Sequence, residues 1–546
     1  MSEFQVAAVF SDHMVLQRDK KLCIFGYADE NTQISVSLQN KKGKVLSEDN
    51  CFSYAGKWIA WLAPQQAQTD CKLVVTSEVK EPVEAQNIVI FEDVAIGEVW
   101  IAGGQSNMEF ELQNCAEGPQ ELALAASEAI QNVRFYYTPK NAWKDEKFYE
   151  AEKNSFWQTW NSPLKGSWSA VGYFFAKKLA ADLNCTVGIV GCNWGGTSAS
   201  AWMRKEFLEG DSDLNTYLTD YQEELFGKSI EQQCHEYDEY LIEEKRWLEE
   251  FDKLWEKDHS LTWGDAETII GKNPWPGPAS CKNPFRPTGL YDCMASRILP
   301  FAARGVLWYQ GESDDHKPHF YYKLFSALIE NWRSDWQDEK LPFIFVQLPM
   351  HRYENVPDLK NWCTIREAQW KVHKSIKDAW MICALDLGQF NEIHPKAKKE
   401  VGERLENKAL AKVYNIEENE QVSAPELNYY RISKGKIILF FDNAKTGFAV
   451  REDRIALNHY RDMEKKQGNT VSPAFTSFEI AGEDKVFYPA AYKFGNEEEG
   501  LNTITLSSPL VKKPFYARYA WYNYGPVTIF GKNGLPLAPF RLEVRF

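Results

Sequence analysis

Apolar and polar residues alternate in short runs at the start of the chain, gather into longer blocks through its middle, and alternate again towards the end. Runs at 21–27, 32–38, 57–62 and 71–76, split by turn residues, have the period of half-buried strands. They predict a β-sandwich-like module over residues 1–92. From Val94 strand patterns alternate with helical ones: strands at 94–102, 186–190, 305–309, 343–348 and 380–385, and helices at 169–183, 320–333 and 364–374. This alternation predicts an α/β domain over 93–415, with a parallel sheet covered on both faces. Within it, residues from 203 to about 257 form an insertion dense in Glu, Lys, Leu and Tyr, with opposite charges at i,i+4 spacing. A solvated helical pair is expected there, read equally as a lid, rim or oligomer contact and as a plain surface excursion. After a terminal helix at 408–413, β patterning at 436–441, 475–481, 503–507, 515–521 and 541–546 predicts a β-rich, sandwich-like module over 416–546.

At 546 residues the chain is too long for one core, which agrees with several units. A formal charge of −15 argues against nucleic acid or an anionic membrane surface as the main partner. It bears only weakly on a small anionic substrate, because a local pocket can oppose the overall sign. Neither a signal-peptide pattern nor an apolar run long enough to span a bilayer is seen, so a cytoplasmic location is expected. Eleven scattered cysteines without a Cys-x-x-Cys pair fit free thiols. The 20 Trp residues supply flat faces for sugars as well as core filling.

Chemistry is expected where the parallel strands end. Val-Trp-Ile-Ala-Gly-Gly-Gln-Ser-Asn-Met-Glu-Phe110 runs from an apolar strand through two glycines into a helix start. Ser106 there is either an N-cap or a nucleophile lifted above the sheet edge. The pattern is not Gly-x-Ser-x-Gly, so the α/β-hydrolase elbow does not fit. In Gly188-Ile-Val-Gly-Cys-Asn-Trp-Gly-Gly-Thr197, the N–H of Gly195 or Gly196 can approach a ligand closely, and the glycine spacing is not that of a dinucleotide loop. Gly305-Val-Leu-Trp-Tyr-Gln-Gly-Glu-Ser-Asp314 brings Gln310, an amide donor, together with Glu312 and Asp314, which either orient substrate or fix the turn. His394 follows the last strand and precedes a helix opened by Pro395, so it shares a sheet edge with Ser106. A histidine there is placed to deprotonate a serine and then to protonate a leaving alcohol. His13, with no second metal-type side chain nearby in sequence, is expected to be structural.

Four ordered motifs, Gly104-Gln-Ser-Asn-Met108, Trp194-Gly-Gly-Thr197, Trp308-Tyr-Gln-Gly-Glu312 and Ile393-His-Pro-x-x-Lys398, resemble the sialate O-acetylesterase family, a branch of the SGNH hydrolases. Val15-Leu-Gln-Arg18, Ser169-Ala-Val-Gly172, Arg518-Tyr-Ala-Trp521 and Asn533-Gly-Leu-Pro536 extend the resemblance over nearly the whole chain. It implies a flavodoxin-like SGNH α/β catalytic domain that removes acetyl esters from sugars, without metal or cofactor. Ser106 is then the nucleophile and His394 the base, with the Ser106 N–H, the Gly196 N–H and Gln310 as oxyanion donors. Gln105, Asn107, Trp194, Glu312 and Asp314 are expected to contact substrate. One departure stands out: where SGNH hydrolases commonly carry Asp three residues before the catalytic His, this chain has Asn391. Glu392 is the first choice for the acid that orients His394; Asp386, Glu312 and a bare Ser-His dyad are the alternatives. The expected partner is an acetylated mono- or oligosaccharide, either O-acetylated sialic acid or a xylan- or mannan-derived fragment, and a homo-oligomer is left open. The competing class is a non-catalytic carbohydrate-binding protein.

Overall fold

The computed structural model describes residues 4–78, 86–124, 128–258, 261, 263–354, 356–471 and 475–544. One long strand, β1 (Gln86–Gly104), links two kinds of sheet. Its first half pairs antiparallel with Gln68–Glu78 of the N-terminal strands, and Ala95–Gly97 pairs parallel with Val15–Gln17. Its second half is the centre of a parallel sheet. Burial follows the change: exposure alternates up to Asp93 and is then lost continuously from Val94 to Gln105, as a strand covered on both faces requires. The boundary expected between residues 92 and 93 therefore falls inside a continuous strand. Asp93 itself bends there at a φ of 50° and is held by Arg134 at 3.0 Å and by His13 at 2.7 Å.

The parallel sheet adds β2 (Val133–Tyr137), β3 (Val187–Asn193), β4 (Gly305–Tyr309), β5 (Phe343–Gln347) and β6 (Ala379–Cys383), in the order β2-β3-β1-β4-β5-β6. β1 is thus the switch point, with later strands laid on both sides of it. The helices that matter for the site are α1 (Ser106–Glu109), α2 (Ala170–Leu183), α3 (Ile230–Trp255), α4 (Tyr321–Asp335), α5 (Asn361–Ser375) and α6 (Lys398–Lys412). α2 packs on α6 and α4 on α5. The result is a mixed α/β chain with one large mixed sheet and further β-rich parts.

One apolar cluster runs from the N-terminal strands through the parallel sheet, so these two parts share a core. They are also locked by a buried charge. The fully buried Glu98 carboxylate accepts from Arg18 at 2.6 Å, Arg304 at 2.8 Å and Gln17 at 3.0 Å. Burial pushes the Glu98 carboxyl up, and Arg304, Arg18 and Gln17 outweigh it, leaving it below its ordinary value. The C-terminal part has a second core, into which the α/β domain contributes Met350, Cys383 and Leu385. Two four-stranded antiparallel sheets build it. Its helix at Arg454–Lys466 and the edge strand β2 were not expected from the pattern. The helix expected at 408–413 starts earlier, at Lys398. The final strand ends at Glu543, and residues 545–546 of that expectation lie outside the described residues.

Candidate active site

β1 stops at Gly104, whose φ of +132° is one that side chains rarely tolerate. A Cβ there would lie 2.2 Å from the Tyr309 carbonyl oxygen, so only glycine lets β1 and β4 run this close at their ends. Gln105 follows in extended conformation at the N-cap of α1. It is buried, donates its N–H to the Tyr309 carbonyl at 3.1 Å, and its side-chain oxygen accepts from the Gly311 and Ser313 N–H groups. Ser106 is thus the first residue of α1 rather than its cap, and its hydroxyl is released from capping duty. It instead lies 2.8 Å from Nε2 of His394.

His394 comes from the loop between β6 and α6, and Asn107 ties this loop to the serine turn. The Asn107 amide donates to Glu312 at 2.6 Å and to the Ile393 carbonyl at 3.0 Å, while its oxygen accepts from the Lys398 ammonium. Lys398 is fully buried, with its ammonium 4.7 Å from the Phe110 ring centre and 5.6 Å from that of Tyr309. Burial lowers the Lys398 pKa to about 7, against the pull of Glu312 and Glu392. Burial also raises Glu312, opposed by Asn107 and Lys398. His394 is lowered to about 4, first by burial and then by the Lys398 charge, which keeps its imidazole neutral and able to accept a proton near neutral pH.

The acids expected to orient His394 are placed otherwise. Glu392 accepts from the His394 backbone N–H at 2.7 Å, and its carboxylate stays 3.9 Å from Nδ1, beyond hydrogen-bonding range. Asp386 is bound bidentately by Arg404 at 2.7 and 2.8 Å. Glu312 serves Asn107. Asn391 adopts a left-handed φ of 58°, and its side chain accepts from the Glu354 N–H at 2.6 Å. Asparagine suits that conformation, and its side chain is spent on the neighbouring loop.

On the opposite side of the serine, a Cβ added to Gly195 would approach the Ser106 Cβ to 3.2 Å. The Gly195 N–H is occupied by Glu109 Oε2 at 2.7 Å. Gly196 has a φ of +74°, and among the described residues no acceptor is bonded to its N–H or to that of Ser106. Gln310 does not reach this side. Its amide donates to Asp314 at 2.6 Å and to the Thr197 carbonyl at 3.1 Å, its oxygen accepts from Tyr321, and it is fully buried. Asp314 also accepts from Ser198 at 2.6 Å, the Ala199 N–H at 3.0 Å and Tyr217 at 3.2 Å, so it anchors both the Gly195–Gly196 loop and the insertion.

Ser106 and His394 open into a cavity of about 450 Å³. Of the five residues expected to contact substrate, Trp194 lines it, whereas Gln105, Asn107, Glu312 and Asp314 are buried behind it and hold the loops. The far wall is the insertion. α3, opened by a reciprocal Ser229–Gln232 capping box, supplies Tyr237, Tyr240, Leu241 and Glu244. The segment after it, beyond the limit expected near 257, adds Trp275, Pro284 and Phe285. The insertion is therefore a rim of the pocket. Glu109 and Lys398 were given no role from sequence, although Lys398 closes the Ile393-His-Pro-x-x-Lys398 motif and Glu109 lies one helical turn from Ser106 and so on the same face. Among the described residues, no cluster of His, Cys, Asp and Glu is arranged to hold a metal ion, and no helix is long and apolar enough to cross a membrane.

Known proteins agree with this architecture. The carbohydrate esterase family of sialic acid-specific acetylesterases matches residues 277–411, the stretch from the pocket rim through β4 and His394 to α6. A sialate O-acetylesterase from Mus musculus is 23% identical over 442 residues, covering 75% of this chain and 74% of its own length. The corresponding protein from Homo sapiens is 23% identical over 436 residues, covering 75% of this chain and 71% of its own. The crystal structure of a carbohydrate acetylesterase from Xanthomonas citri superposes with a TM-score of 0.71 at 25% identity, over 99% of this chain and 100% of that one. These similarities show that the chain resembles the sialate O-acetylesterases and other carbohydrate acetylesterases, and they make it a carboxylic ester hydrolase.

Proposed function

We propose that the protein is a serine-dependent carbohydrate O-acetylesterase. The observation that carries this reading is the 2.8 Å contact between Ser106 and the neutral His394 imidazole at the floor of the pocket. Ser106 attacks the acetyl carbonyl while His394 takes its proton. His394 then returns the proton to the departing sugar hydroxyl, and water, activated by the same imidazole, cleaves the acetyl-enzyme. The tetrahedral oxyanion is met by the free N–H groups of Ser106 and Gly196, each worth on the order of 3 kcal/mol in comparable hydrolases. Gln310, fixed between Asp314 and Tyr321, acts here through the loop it holds rather than by touching the oxyanion. Leaving out edge strand β2, the strand order is second, first, third, fourth, fifth, the doubly wound order of flavodoxin-like sheets, which supports an SGNH-type domain with its site at the switch point. The substrates this reading admits are O-acetylated sialic acids and acetylated xylo- or manno-oligosaccharides. Acetate release from such a panel, followed by NMR, tests it. Release is expected from wild type and not from Ser106→Ala, and equal release by both would overturn the serine mechanism.

A further inference from the structure

The pocket wall carries charge of one sign. Glu109, Glu111 and Glu244 line it, and among the described residues lining it there is no Lys or Arg. The ammonium beside it, Lys140, is already committed: it pairs with Glu109 and lies 5.7 Å from the Trp194 ring centre. Lys398, behind the serine turn, is buried against Asn107. Glu244 accepts from the Tyr240 hydroxyl, and Glu111 from the Gln113 and Asn114 amides at 2.7 and 3.0 Å, so both carboxylates are held in place by neutral donors. The remaining wall is largely aromatic, and Trp275 is 54% exposed at the rim.

A sugar carboxylate entering this site loses water and meets Glu111 and Glu244, two acids without a cation partner among the described residues, while Glu109 is paired with Lys140 and no guanidinium lines the wall to receive it. An uncharged sugar ring suits the same wall. Its C–H face stacks on indole or phenol rings, and its hydroxyls donate to the fixed carboxylates. We infer that the pocket selects uncharged acetylated sugars over O-acetylated sialic acid, with Glu111 and Glu244 as the specificity-determining residues. The inference rests on the esterase reading above and names the substrate class of that same site.

The test measures kcat/KM for acetate release by the full chain from acetylated xylo-oligosaccharides, acetylated manno-oligosaccharides, an O-acetylated sialic acid and the carboxyl methyl ester of that sialic acid. The uncharged sugars are expected to exceed the free sialic acid by about tenfold or more, since like charges brought together disfavour binding. Methyl esterification, which removes only the charge, recovers most of the gap, and added salt narrows it. Glu244→Gln and Glu111→Gln lower the ratio of methyl ester to free acid. Equal or faster turnover of the free sialic acid overturns the inference and leaves the esterase standing, as does a ratio indifferent to salt, to methylation and to both variants. No acetate from any substrate, with Ser106→Ala indistinguishable from wild type, overturns the esterase reading itself.

Discussion

Glu392→Gln measures how much charge His394 needs behind it. The carboxylate is 3.9 Å from Nδ1, and the two side chains are 45% and 39% exposed. A unit charge pair at that separation attracts by about 1 kcal/mol in water and about 4 kcal/mol at an effective dielectric constant of 20. With both groups this open to solvent, the lower figure applies. Losing about 1 kcal/mol of imidazolium stabilisation slows the chemical step roughly fivefold. A buried acid bonded directly to Nδ1 behaves differently, and its amide variant loses about ten-thousandfold. The assay is steady-state acetate release at saturating substrate, with circular dichroism as the folding control. A loss of around fivefold in kcat agrees with an imidazole that works almost as a dyad with Ser106. A loss of a thousandfold or more would show that Glu392 closes onto Nδ1 during turnover, and the separation argument would be wrong.

Three further outcomes follow from the same geometry. His394 is neutral above a pKa lowered to about 4, so kcat/KM falls only as pH drops through that value; Lys398→Met removes the cation that contributes to the lowering and moves the acid limb upward, and an unmoved limb contradicts the coupling. Asn107→Leu breaks the link from Glu312 and Lys398 to the Ile393 carbonyl without touching the pocket, so kcat drops while KM is retained; a rise in KM alone would refute a positioning role. Glu98→Ala strands Arg18 and Arg304 and costs about 3–5 kcal/mol in denaturant unfolding. Because the folded-state pKa of Glu98 lies below its ordinary value, that contribution is present above about pH 4.5 and is lost as pH falls through the folded value. A variant as stable as wild type at neutral pH refutes it.

The alternation of strands and helices was legible because burial on one or both faces imposes its period locally. The segment 57–62 and the strands β4 and β5 appear where the pattern puts them. β2 was missed because Val-Arg-Phe-Tyr-Tyr is a short edge strand whose Arg134 is explained by Asp93 and the His13 carbonyl, both far along the chain. The 92–93 boundary lies within strand β1 for a related reason: composition changes at Val94, but the backbone hydrogen bonds continue through it. At the site, Ser106 and His394 could be singled out because strand ends gather at one sheet edge. Gln105, Asn107, Glu312 and Asp314 looked like substrate contacts, since polar residues beside a nucleophile invite that reading. Their partners lie elsewhere in the chain, Asn107 on Glu312 and Lys398, Asp314 on Ser198 and Tyr217, so only the fold shows that they brace loops. The rim role of α3 was hidden for the same reason, because a charged amphipathic helix has the same pattern over a pocket as over solvent.

The central claim is that Ser106 becomes acylated with His394 as its base. Mixing the protein with an excess of an activated aryl acetate, quenching in acid within the first turnover and mapping the adduct by peptide mass spectrometry tests this most directly. The account predicts one acetyl group on the peptide containing Ser106, absent in Ser106→Ala and slow to form in His394→Ala. An acetyl group on another residue, formed equally fast in both variants, would contradict it.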